Sequence, residues 1–350
     1  MFCDQVKVSV LITSYNQKDM VECAIKSVLE QEVHFPIEIL IGDDGSSDGT
    51  WEIVLRWAKS HPLIIKAFRW SRDDGVTGSI ARVSRSRLRL VRESRGDYLV
   101  FLDGDDYFSQ KKKLQVQFDF LEKDFSLGAC AHNFEYVTEC GERISTAFFE
   151  ADRYNRIPFN LYWADCYLPA SSFMLRYPSE SVLARVNHNN FDDNSIVFLL
   201  VDDRDILYSS SVMFSYVQQK SSTWNTMSLI EKIFVSLQDY YQEIAQYPER
   251  KYVSKIRHSF EMLCLVTFTR RQLLEKQSYI DNLGLMRNDC FVKEWRLLTD
   301  GNLFFRLFGR LRIILSVMIP AIKKVLSRCR IHYLLNGKDG NRIGGKWKLH

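Results

Sequence analysis

None of the eight cysteines forms a C-x-x-C pair. Their irregular spacing (Cys3, Cys23, Cys130, Cys140, Cys166, Cys264, Cys290 and Cys329) argues against both a zinc site and a disulfide framework. Reduced, mostly buried thiols are expected instead. A long apolar run is also missing. The longest uncharged one, Ile313–Ile322, has about half the length needed to span a bilayer and is interrupted by Pro320. The opening residues Met1–Gln5 run straight into a strand pattern and do not read as a signal peptide, so a cytoplasmic chain is expected. No internal repeat is visible. A G-x-G-x-x-G turn does not follow the first strand, where Thr13-Ser14-Tyr15-Asn16 stands, and this argues against dinucleotide binding. The G-x-x-x-x-G-K spacing from Gly340 to Lys346 is followed by Trp347, where a phosphate-binding loop needs Ser or Thr.

What is present is an ordinary globular composition, 46% apolar and 26% charged over 350 residues. That length suits one large domain with an appendage, or two domains. The net charge of +4 conceals an asymmetry: residues 301–350 hold 11 Lys/Arg and one Asp. A basic end on a mildly acidic body points to an anionic surface, either membrane lipid or nucleic acid.

The first 130 residues alternate between two hydrophobic periods. Strands are expected at Val6–Thr13, Ile37–Gly42, Leu63–Phe68 and Tyr98–Leu102. Helices are expected at Met20–Leu29, from a cap at Asp48 or Ser47 to Trp57, at Thr77–Arg95 and at Lys111–Asp124. This alternation predicts an α/β fold with a doubly wound, mostly parallel sheet. Later strands are expected at Ala129–Val137, Ser171–Leu175 and Ile206–Val217, and a helical region over residues 226–300. The expected division is a catalytic domain at residues 1–222, a helical C-terminal region at 223–335 and a loose basic tail at 336–350.

Asp103-Gly104-Asp105-Asp106 follows the fourth strand directly. In an open α/β sheet, ligands bind beyond the carboxyl ends of the strands. Carboxylates crowded there repel one another unless a cation or donors compensate them, and their hard oxygens suit Mg²⁺ or Mn²⁺ shared with phosphates. The plainer alternative is an acidic surface turn. Asp43-Asp44-Gly45-Ser46-Ser47-Asp48-Gly49-Thr50 ends the second strand at the same edge of the sheet. On the Thr77–Arg95 helix, Arg82, Arg85, Arg89 and Arg92 form a stripe expected to be solvated. Arg87 falls on the opposite, apolar side with Ile80, Val83, Leu90 and Val91, where a guanidinium needs a partner. That partner is either an acidic strand end or a nucleotide diphosphate. Asp192-Asp193 opens the helix Ile196–Val201, either for the helix dipole or as a base for an attacking hydroxyl.

Three of these segments together resemble the inverting family-2 glycosyltransferases with the GT-A fold. They are Val8–Asn16 (VSVLITSYN), Gly42–Thr50 (GDDGSSDGT) and Gly96–Asp106 (GDYLVFLDGDD), and the resemblance runs from about Val6 to Thr223. It implies a hexosyltransferase-type enzyme. Such an enzyme moves a sugar from a nucleotide-sugar, with UDP the expected nucleotide, to a glycan or lipid-linked glycan hydroxyl. It implies Mn²⁺ or Mg²⁺ as cofactor and a role in bacterial polysaccharide synthesis. Position by position, Thr13 and Tyr15 match nucleoside-cradling residues, Asp44 the base reader and Arg87 a phosphate-side arginine. Asp103 and Asp105 match the DxD motif, with Asp103 toward the sugar-nucleotide and Asp105 the principal metal ligand. Asp192-Asp193 stands where the family has Glu-Asp, which makes Asp193 the candidate base. Gln219 stands where many members have a histidine, which puts a metal or phosphate contact from that segment in question.

The segment Leu303–Arg312, with Ile313–Ile322, mixes bulky apolar residues and cations. It could lie in a membrane interface at the inner face of the cell membrane, or pack on the catalytic domain with a basic outer face. Nucleic acid is not expected as a partner. The rival readings are a non-catalytic nucleotide-sugar-binding module and a nucleotidyltransferase on a similar fold.

Overall fold

The computed structural model describes residues 5–73, 75–76, 78–146, 154–159, 168–186, 191–219, 226–246, 248, 258, 261–262 and 264–299. The expected boundary at 222/223, the segment 303–322 and the tail 336–350 lie outside the described residues.

Four apolar segments form the parallel half of one ten-stranded sheet: β1 (Val8–Ser14), β2 (Ile37–Asp43), β3 (Ile65–Arg69) and β4 (Tyr98–Asp103). Their order is β3-β2-β1-β4, and β1 and β2 are buried almost end to end because helices cover both faces. The sheet continues through β9 (Phe173–Arg176), β6 (Leu127–Val137) and β10 (Asp205–Val217) to β5 (Tyr107–Phe108). β6 and β10 are parallel to each other, whereas β9 runs antiparallel between β4 and β6. All the long strands therefore point one way, and their carboxyl ends share one edge. Short antiparallel strands β7 (Arg143–Thr146) and β8 (Tyr154–Ile157), too brief for a sequence pattern, flank β6 and β10.

The crossover helices are α1 (Val21–Leu29), α2 (Thr50–Ser60), α3 (Ser79–Glu93) and α4 (Lys113–Lys123). α1 buries Val21, Ala24, Ile25 and Val28, its expected face. α2 begins after Gly49, whose φ of 103° only glycine adopts without strain. The cap position is thus Gly49 and not Asp48 or Ser47, although Asp48 Oδ1 still accepts from Thr50 N at 3.0 Å. The described cysteines are all free. Cys130 is buried, but Cys23, Cys140 and Cys290 are exposed, because they fall on outward-facing helix positions or a turn.

A second apolar cluster gathers Ile230, Phe234, Leu237 and Tyr241 of the helix Leu229–Gln246 with Phe291, Trp295 and Leu298 of the helix Asp289–Thr299. No helix among the described residues is long and apolar enough to cross a membrane.

Lys113 opens α4 fully buried, with Nζ donating to Gln117 Oε1 at 2.8 Å and lying 4.3 Å from the Phe108 ring centroid. Burial pushes its ammonium down from 10.5 to about 7. The unfolded chain therefore binds more protons between these values, and stability at this position rises with pH across that window. Lys113→Met should raise stability by on the order of 2 kcal/mol at pH 7. The gain should shrink toward pH 10.5, as urea unfolding at the two pH values will show.

Candidate active site

Strand register brings the sequence-separated motifs together. Thr13 of β1 lies opposite Asp103 of β4 and Gly42 of β2, and Ser14 lies opposite Asp43. Thr13 Oγ1 donates to Asp103 Oδ1 at 2.9 Å, and Gly104 N to Thr13 O at 2.8 Å. A Cβ at Gly104 would stand 2.6 Å from Gln17 Oε1 and 3.1 Å from Thr13 O, so a larger residue there would have to displace the Gln17 side chain and crowd β1. The acidic turn is then tied to the far side of the sheet. Asp106 Oδ1 accepts from Val217 N at 2.8 Å, and Asp105 Oδ2 from Gln219 Nε2 at 2.6 Å. Gln219 thus contacts the acidic motif directly, as a neutral donor.

Arg87 reaches this group from α3 and is 5% exposed. Its Nη2 donates to both Asp103 oxygens, at 2.9 and 3.0 Å, and its Nη1 lies 2.8 Å from Asp193 Oδ1. Of the two partners open from sequence, the acidic strand end is the one seen. Asp192 and Asp193 diverge. Asp192 caps the helix Asp193–Leu200, accepting from Ser195 N at 2.8 Å, while Asp193 faces Arg87.

Among the described residues one guanidinium thus serves a cluster containing Asp103, Asp105, Asp106 and Asp193. Burial alone would lower the Arg87 pKa, but Asp103 and Asp193 raise it overall. Burial pushes the Asp105 carboxyl up to about 7, and Asp103 adds to the rise. Burial also drives Asp106 well upward, with Asp105 and Asp103 contributing. Asp193 is raised by burial, partly offset by Arg87. Crowding and burial thus favour the neutral form at three of the four carboxyls.

Tyr15 and Asp44 form a second group beside it. Asp44 pairs with Arg72 at 2.8 Å and with Arg82 at 3.3 Å. The Arg72 guanidinium lies 3.8 Å from the centroid of the Tyr15 ring, which is 43% exposed. Arg82 is therefore not part of a solvated stripe. It is 8% exposed because the chain after β3 folds over this flank of α3, where Arg82 Nη2 donates to Arg72 O at 2.9 Å. Arg89 lies over Trp70 on the same flank, Arg92 is exposed, and Val83, expected on the apolar side, is 38% exposed. Asp43 is structural: buried, it accepts from Gly45 N and Ser46 N in the turn after β2. The sequence reading missed Arg72 altogether, since no periodicity marks a loop residue that acts through one contact.

The family model described as glycosyl transferase family 2 matches residues 9–181. This domain belongs to that family. Among curated relatives, the UDP-Glc:alpha-D-GlcNAc-diphosphoundecaprenol beta-1,3-glucosyltransferase WfaP of Escherichia coli is 34% identical over 34% of this chain and 43% of its own length. The putative teichuronic acid biosynthesis glycosyltransferase TuaG of Bacillus subtilis is 34% identical over 36% of this chain and 45% of its own. Uncharacterised mycobacterial proteins are 28% identical, and the match spans 38% of their length. The chain thus matches less than half the length of these relatives. The crystal structure of S. aureus TarS 1–349 in complex with UDP-GlcNAc shares the fold, with a TM-score of 0.57 at 14% identity over 94% of this chain and 89% of that one.

The family-2 domain can be tested for a divalent cation on its own residues. No group of three or more His, Cys, Asp or Glu among the described residues is arranged as a complete metal cage. Mg²⁺, however, is ordinarily held by one or two carboxylates together with substrate phosphates. Asp103 and Asp105, two hard carboxylate donors crowded at the end of β4, fit that shared mode. Without a cation, the raised Asp105 carboxyl makes the folded state bind more protons than the unfolded chain between pH 3.8 and about 7. Its contribution to stability therefore falls as pH rises through this window. In chelator-treated protein, Asp105→Asn should raise the melting temperature at pH 8 and leave it nearly unchanged at pH 4, as calorimetry at the two pH values will show.

Proposed function

We propose that this family-2 glycosyltransferase moves a sugar from a UDP-sugar to a hydroxyl of a glycan or lipid-linked glycan, with inversion at the anomeric carbon. The observation that carries the reading is Arg87, which binds Asp103 and Asp193 through different nitrogens and so sets a donor-side carboxylate beside a base candidate. The choice of UDP is supported by the UDP-sugars named for WfaP and for the TarS complex. The choice of a lipid-linked acceptor is supported by the diphosphoundecaprenol substrate named for WfaP.

In this reading Tyr15 stacks on the base, Asp44 accepts from its ring N–H, and Thr13 holds the nucleoside side. Arg72 and Arg82 orient Asp44. Asp103 and Asp105 would hold Mn²⁺ or Mg²⁺, which when bound would supply Lewis-acid stabilisation of the leaving diphosphate. Arg87 bridges Asp103 and Asp193 and partly offsets the rise that burial imposes on Asp193. Asp193, its pKa raised by burial, takes the proton from the acceptor hydroxyl on the face of the sugar opposite the leaving group. Asp192 fixes the first turn of the helix that presents Asp193. Residues 1–222 are proposed as the catalytic unit and 223–335 as a helical accessory region. The basic end would attach the enzyme peripherally to an anionic membrane surface.

Calorimetric titration with UDP should show binding that strengthens at least tenfold with Mn²⁺ and loses that gain in Asp105→Ala. Binding only of GDP or dTDP would replace the donor, and no binding of any nucleoside diphosphate would overturn the reading. In a UDP-sugar transfer assay, Asp193→Asn should lower kcat by about 10²–10⁴-fold, while Asp192→Ala should mainly cost the helix cap, ~1 kcal/mol of stability.

A further inference from the structure

The sheet order places the donor residues on one side of β4 and leaves the other side without a role. Thr13, Tyr15 and Asp44 come from β1, β2 and the turns after them, whereas β9, β6 and β10 lie across Asp103 on the opposite flank. On that flank four aromatic rings line one face. Phe134 and Phe214 are register partners on β6 and β10, and two residues onward so are Tyr136 and Tyr216. Alternation along the strands puts all four on the same face, with the tyrosines nearer the carboxyl edge.

The inner pair is core: Phe134 is 2% and Phe214 0% exposed. The outer pair is only half-buried. The Tyr136 and Tyr216 ring centroids lie 5.6 Å apart with planes at 68°, so the two rings meet edge to face in a corner. Phe134 backs this corner, 5.1 Å from Tyr136 and 6.5 Å from Tyr216. Among the described residues neither phenol makes a hydrogen bond, which leaves both hydroxyls for a ligand. The corner also adjoins the carboxylates. Val217, next to Tyr216, is bonded to Asp106, and Gln219 to Asp105. Burial raises the Tyr216 phenol, and Asp106, Asp193, Asp105 and Asp103 raise it further, so all four carboxylates are within electrostatic reach of it.

We propose that Tyr136 and Tyr216 form the acceptor subsite, where a hexopyranose ring of the acceptor glycan packs its C–H face on the aromatic corner and presents a hydroxyl to Asp193. This rests on the glycosyl-transfer reading above. Sugar C–H groups carry partial positive charge and meet the negative faces of aromatic rings, while the phenol hydroxyls reach ring hydroxyls at the edge. Both rings are already fixed by the aromatics beneath them, so little side-chain freedom is lost on binding. Substrate would thus span β4, with the nucleotide on the β1–β2 side and the acceptor on the β6–β10 side.

The test uses the full chain saturated with UDP and Mn²⁺, and saturation-transfer NMR with the methyl β-glycosides of glucose, galactose, mannose and N-acetylglucosamine. At least one glycoside should receive saturation, strongest at the axial protons of one ring face. Tyr136→Ala should reduce that transfer at least fivefold, and Tyr216→Phe should reduce it less, because it keeps the ring. The UDP dissociation constant, measured calorimetrically on the same samples, should stay within twofold of the parent in each variant, which also confirms a folded donor site. Transfer to none of the four glycosides while UDP binds, or undiminished transfer in Tyr136→Ala, would overturn the acceptor subsite and leave the donor reading standing. Failure of the parent protein to bind UDP would sink the donor reading, and the subsite with it.

Discussion

The arrangement of this active edge depends on the Arg87 guanidinium, placed by α3 between Asp103 at the end of β4 and Asp193 at the start of a helix ninety residues later. Carboxylates withdrawn from water are costly unless paired, and the burial that raises Asp105, Asp106 and Asp193 shows that cost here. Arg87 is itself buried, so the same argument applies to it in reverse. Neither the arginine nor its carboxylates would be tolerable without the others. The resulting group is held in place, and a cation entering it would relieve the repulsion among its carboxylates.

Around this centre, hydrogen bonds tie together parts of the chain that are remote in sequence. Thr13 holds Asp103, Val217 holds Asp106 and Gln219 holds Asp105. The acidic turn is thereby anchored to β1 on one side and β10 on the other. A substitution at any of these anchors should act on the carboxylates as a set, because their protonation is linked through mutual repulsion.

Much of the fold was legible because parallel strands buried on both faces write themselves as apolar runs, as at Ile37–Asp43 and Tyr98–Asp103. Helix limits were off by one to three residues, and the cap at Gly49 was missed because a left-handed glycine leaves the same trace as a capping turn. The candidate site was legible where its residues form one local motif, Asp103-Gly104-Asp105-Asp106, at a strand end. It was not legible where the partner is chosen by tertiary packing. Arg82 reads as one more cation on a helix stripe, yet the chain after β3 buries it against Asp44. The aromatic face of Phe134, Tyr136, Phe214 and Tyr216 needs the β6–β10 register, which no single segment contains.

The central claim is that Arg87 and its carboxylates act as one electrostatic unit, and a double-mutant cycle measures this directly. Urea unfolding at pH 7.5 without divalent cations would be compared for the parent, Arg87→Met, Asp193→Asn and the double variant. The account predicts that the double variant is more stable than the summed single effects by on the order of 1–3 kcal/mol, since Arg87→Met strands Asp193 and Asp193→Asn removes that charge, while Asp103 is left alike in both backgrounds. Effects that add to within about 0.5 kcal/mol would contradict it, for they would show that Arg87 and Asp193 are neighbours without being partners.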